Sequence, residues 1–78
     1  MKKFKELSDL GLVTAFITLG YSPMDRHKNG KRVLFSFEWD EEMQRIKEDF
    51  FNNGLEVDAR TYHTTMKSLK NSIYQMED

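Results

Sequence analysis

The run "NGKRVLFSFEWDEEMQRIKEDFFNNG", Asn29 to Gly54, changes periodicity at Asp40, and that change decides the fold. Before it, Val33, Phe35, Phe37 and Trp39 fall on one side of an alternating pattern and Leu34, Ser36 and Glu38 on the other, as in a strand with one buried face. After it, Met43, Ile46 and Phe50 recur at helical spacing. Asp40 is suited to cap the free N–H groups of a first turn, and Glu41 and Glu42 suit the positive end of a helix dipole. Glu41 and Arg45 stand one turn apart, and Asn53-Gly54 ends the helix.

Upstream, Asn29-Gly30 is the strongest short-range signal for a type I′ hairpin, in which both central residues take positive φ. That turn sets Lys28 opposite Lys31, Arg26 opposite Val33, Met24 opposite Phe35 and Ser22 opposite Phe37. Pro23 restricts the first hairpin strand to a short or edge position. Farther back, "LSDLGLVTAFITLGY" reads as a helix over about residues 9–19. Ser8 is its expected N-cap, Leu7 and Leu12 its hydrophobic staple, and Gly20 its left-handed stop, with Tyr21 folding back on the last turn. Lys3 to Glu6 has room for a short strand before it.

Downstream, Asp58 is placed to cap a third helix, stapled by Val57 and Tyr62. Tyr62, Met66, Leu69, Ile73 and Met76 make a seam at alternating spacings of four and three. A helix of about 18 residues would span roughly 27 Å, long for so small a sheet. The expected fold is therefore α+β: a small antiparallel sheet, the hairpin plus an N-terminal strand, packed by three helices in the order (β)αββαα, within a single compact domain, residues 1–78. Phe35, Phe37, Met43, Ile46 and Phe50 read as core. Trp39 ends its strand beside a helix cap, and Phe51 is either the widened edge of the second helix's stripe or an exposed contact.

A chain of 78 residues is near the size where one core supplies only a few kcal/mol of net stability. There is no cysteine to staple it and only two histidines, so neither a disulfide framework nor a structural zinc is expected, and no cofactor. No apolar run approaches the roughly 20 residues of a membrane span, so the expectation is a soluble, cytoplasmic protein with no membrane partner. Catalysis finds little support. His27 lies beside the hairpin tip, His63 on the third helix is followed by Lys67 where a helical metal site wants a second ligand, and no serine sits in a nucleophile elbow. Gly-rich phosphate loops are absent from the sequence. A non-enzymatic protein is expected.

Charge is unevenly distributed. Residues 1–34 carry seven Lys/Arg and three Asp/Glu, residues 35–58 two against eight, and residues 59–78 three against two. Neighbouring elements can attract one another through such a pattern, or opposite faces can serve different partners. The acidic pole, Glu38, Asp40, Glu41, Glu42, Glu48 and Asp49, fits a protein-binding reading: a rigid ridge that docks on a basic groove of a larger protein or protein–nucleic-acid complex. The basic alternative is a small nucleic-acid-binding regulatory module. It uses Arg26, Lys28, Lys31 and Arg32 round the hairpin tip, with Arg60, Lys67 and Lys70 on the third helix beside His63 and Tyr74. A homodimer through the third helix is a further expectation, should its seam run past the sheet.

Phe4, Ser8-Asp9-Leu10, Gly20-Tyr21, Phe35, Phe37, Phe51, Asp58 and Tyr74 together make nearly the whole chain resemble a family of small domains of unknown function found in bacteria and their phages. Those positions are mainly caps, turns and core, so the resemblance implies a fold and no chemistry. Its phage association implies host takeover or defence evasion, most concretely an accessory protein of a phage or mobile element that blocks a host nuclease or defence complex.

Overall fold

The structure is a computed structural model and describes residues 3–75. The chain forms β1 (Lys3–Leu7), α1 (Leu10–Thr18), β2 (Asp25–Asn29), β3 (Arg32–Trp39), α2 (Glu41–Phe51) and α3 (Ala59–Gln75), the α+β order expected. Met76, the last residue of the expected seam, lies outside the described residues.

The sheet has the order β1-β3-β2, antiparallel throughout, so the strand with the strongest alternation is the central one. Val33, Phe35, Phe37 and Trp39 are buried on its helix-covered face, and Glu38 is exposed on the open face opposite Phe4. Trp39 is thereby core, while Phe51 is 55% exposed and touches the Phe50 ring edge-on at 5.2 Å.

The hairpin register corrects the expected one. Asn29 pairs with Arg32, Lys28 with Val33 and Arg26 with Phe35, so the two-residue loop is Gly30-Lys31. Only Gly30 of those two has positive φ, +65°, which is the φ pattern of a type II′ turn. The slip is by two residues, so each side chain keeps its expected face. β2 is an edge strand, as Pro23 required, and all five of its residues are exposed.

α1 is the middle of the molecule. Leu12, Val13, Thr14, Ala15 and Phe16 are consecutive and all buried, which demands partners around the whole helix circumference. Phe16 meets the sheet, with ring centroids 5.6 Å from Phe37 and 5.4 Å from Trp39. On other sides, the Thr14 hydroxyl lies 3.6 Å from Met66 Sδ of α3, and the Tyr62 hydroxyl donates to the Gly11 carbonyl at 3.2 Å. A Cβ at Gly11 would stand 3.3 Å from both Phe50 and the Tyr62 oxygen, so α2 and α3 converge there. The α3 seam therefore packs on α1, where the sequence pointed to the sheet.

Caps fix the ends. Asp9, and not the expected Ser8, caps α1: its carboxylate accepts from Leu12 N–H at 3.1 Å. Asp40 accepts from Met43 N–H at 2.8 Å, and Asp58 from Thr61 N–H at 2.9 Å, as expected. α1 closes with Gly20 at φ +104°, Gly20 N–H bonding Ile17 and Tyr21 N–H bonding Phe16. That bond carries the Tyr21 ring back onto Phe16, edge-on at 5.7 Å.

Candidate interaction surfaces

α2 presents the acidic ridge. Seven residues nearly complete two helical turns, so Glu41 and Glu48 share one row, Glu42 and Asp49 the next, and Arg45 falls between the rows. All five are exposed, opposite the stripe of Met43, Ile46 and Phe50. Asp40 sits at the N-cap and Glu38 two residues earlier on the open sheet face. The six expected acidic residues thus run from the end of β3 along the outer half of one helix.

On one flank the ridge meets cations of its own chain. Lys3 and Lys5 of β1 line a cleft of about 580 Å³ with Trp39, Asp40, Glu41 and Gln44. The Lys5 ammonium donates to Gln44 Oε1 at 3.3 Å and stands 4.8 Å from the centre of the Trp39 ring, and the Trp39 indole donates to the same Gln44 oxygen at 3.3 Å. On the other flank the neighbours are aromatic, thioether and hydroxyl groups with no cation among them. Tyr21, Met24 and Trp39 line a cleft of about 310 Å³ with Glu38 and Asp40. Burial first, then the charges of Glu42 and Asp40, push the Tyr21 phenol above its ordinary value of 10.0.

The expected basic site is divided. Arg26 and Lys28 project on the helix-covered side of β2, opposite Phe35 and Val33, and Arg26 donates to the Ser72 hydroxyl of α3. Lys31 and Arg32 line a cleft with Ile73 of α3. Arg60, Lys67 and Lys70 are exposed on α3, but at 100° per residue Ser72 lies about 140–160° around the helix from Lys67 and Lys70. Hairpin and α3 cations therefore flank opposite sides of the seam. Their placement has a structural cause. Lys3 and Lys5 on one edge strand, and Arg26 and Lys28 on the other, point toward the core side, cover its margins with their stems and keep their charges in water. Inward-pointing charge is also what prevents sheet edges from pairing with other chains.

On the open face, His27 Nε2 lies 3.0 Å from Glu6 Oε2, both roughly half exposed. Among the described residues no group of three or more His, Cys, Asp or Glu is placed to hold a metal, and no helix is long and apolar enough to cross a membrane. Tyr21, Met24 and Gln44 are the site residues that sequence reading passed over. The stop at Gly20, which turns Tyr21 back, was the one signal available for them.

Fold and surface define a small α+β domain with an acidic helix and a divided set of cations. The chain belongs to DUF5659, a domain of unknown function whose family model matches residues 1–75. No curated protein and no solved structure matches it.

Proposed function

We propose that the domain is a non-enzymatic protein-binding module that docks through the acidic ridge of α2 on a basic surface of a larger protein or protein–nucleic-acid complex. The observation carrying this reading is the pair of carboxylate rows, Glu41/Glu48 and Glu42/Asp49, held on a helix whose other side is locked into the core by Met43. A helix already fixed in the fold needs no backbone ordering on docking, and a one-signed row steers encounter with an oppositely charged groove. Glu41 and Glu48 stand about 10 Å apart along the helix axis, close to a Debye length at 0.1 M salt, so a partner meets them as one field.

The narrower version names the partner as a host nuclease or defence complex, blocked by a phage or mobile-element accessory protein. It draws support from the capacity of an acidic ridge to occupy a groove built for nucleic acid. A nucleic-acid-binding function for the domain itself is less well supported, because Arg26 is engaged with Ser72 and the remaining cations do not form one track. Self-association through α3 would have to use surface other than Tyr62, Met66, Leu69 and Ile73, which pack within the domain.

The test is a tagged capture from bacterial lysate with and without nuclease, read by mass spectrometry. A stoichiometric protein that survives nuclease and is lost from a variant carrying E41Q, E42Q, E48Q and D49N supports the reading. Retention of every partner by that variant sinks it. Recovery of nucleic acid alone, lost on replacing Lys28, Lys31 and Arg32, would transfer the function to the basic residues.

A further inference from the structure

The cleft beside the ridge has a composition that the ridge alone does not. Its wall is Tyr21, Met24 and the Trp39 end of β3, and its rim holds Glu38 and Asp40, with Glu42 close enough to act on the Tyr21 phenol. Met24, in the wall of this cleft, is 62% exposed. The cleft thus sets an exposed thioether beside the Tyr21 ring, with carboxylates at its edge. Those carboxylates select what covers the cleft. A wholly apolar side chain would take the Asp40 and Glu42 carboxylates out of water, and an anion would be repelled by them.

Resting on the protein-binding reading, we propose that this cleft is the anchor of the docking site and receives an arginine side chain from a basic segment of the partner protein. A guanidinium suits both halves of the cleft. Its flat, weakly hydrated faces lie against aromatic and thioether groups, and its fork of N–H donors reaches carboxylates at the edge. Asp40 Oδ1 already accepts from Met43 N–H, which holds that carboxylate at the rim before a partner arrives. The ridge then supplies attraction at a distance, and the cleft supplies the buried contact where binding energy concentrates. Lysine fits less well, since its ammonium keeps its water and presents no plane.

The cleft is tested with the intact chain and a capped arginine-rich peptide of about ten residues. The same peptide with citrulline in place of arginine is the control, alike in shape but uncharged. Binding is followed by NMR through the backbone amides of Tyr21, Met24 and Trp39, all of which line the cleft. The expected result is saturable shifts at these positions with the arginine peptide and none with citrulline. M24A and E42Q, both at exposed positions, should each weaken binding by roughly tenfold with the fold intact. Bound cation should also lower the Tyr21 pKa, since it offsets the carboxylate charges that raise it. Shifts confined to Glu41 and Glu48, indifferent to M24A, would overturn the cleft while leaving the ridge as a docking surface. Equal shifts with citrulline, or none with arginine, would overturn arginine recognition. Failure of the ridge reading shows separately, as a captured partner indifferent to the four-residue variant.

Discussion

The Phe16 ring stands nearly perpendicular to the Trp39 indole, 78° between planes with centroids 5.4 Å apart, and so joins the middle of α1 to the end of the central strand. Trp39 is followed at once by Asp40, which caps α2. The aromatic contact therefore sets where the acidic helix begins.

Phe16 is wholly buried, and truncation to alanine should cost about 3–5 kcal/mol, comparable with the total stability of a domain this small. Urea denaturation followed by Trp39 emission is expected to show Phe16→Ala largely unfolded in buffer. Phe16→Leu should stay folded with a lower midpoint.

Asp9 and Ser8 are adjacent and both suited to capping, and the bond from Leu12 N–H goes to Asp9. Asp9→Ala should destabilise the domain by about 1 kcal/mol, and Ser8→Ala by no more than a few tenths. Thermal unfolding of the two variants separates them, and equal losses would return the cap to Ser8.

Legibility followed the range of the physics involved. The central strand, the Asp40 and Asp58 caps and the Gly20 stop depend on neighbours within a few residues, and the sequence carries them openly. The outer half of α2 was readable for the same reason, since charges at i and i+7 share a row wherever the helix lies. Hairpin register was not, because both Asn29-Gly30 and Gly30-Lys31 make acceptable turns. The choice is joined to a distant contact, Arg26 with Ser72, that no local pattern encodes. The Tyr21–Met24 cleft needs the loop after α1, the end of β3 and the start of α2 at once. Only the assembled fold brings those together.

That turn gives a direct check. A type I′ loop centred on Asn29-Gly30 would need positive φ at both residues, whereas here Gly30 is at +65° and Asn29 pairs with Arg32 in the strand. Gly30→Ala should cost about 1–2 kcal/mol, since a Cβ is disfavoured at that φ, while Asn29→Ala should change stability by under about 0.5 kcal/mol. Chemical denaturation of both variants is the measurement. Comparable losses would favour a turn centred on Asn29-Gly30.

Asp58 supplies a pH dependence whose sign follows from its bonds. The Thr61 hydroxyl donates to Oδ2 at 2.6 Å and the Thr61 N–H at 2.9 Å, and these two hold the carboxyl below its ordinary value of 3.8 against a small opposing effect of desolvation. Both bonds favour the charged form. The folded pKa lies below the unfolded one, so the contribution is present above the unfolded value and is lost as the pH falls through the folded one. Asp58→Asn keeps an oxygen for the cap but removes the titration. Wild type should therefore exceed Asp58→Asn in urea midpoint at pH 7, and the gap should close as the pH falls toward about 2. Thr61→Ala should raise the Asp58 pKa toward its ordinary value, observable by carboxyl-carbon NMR. A gap that stays constant across the acid range would mean that the cap works through geometry alone and that the charge of Asp58 adds nothing to α3.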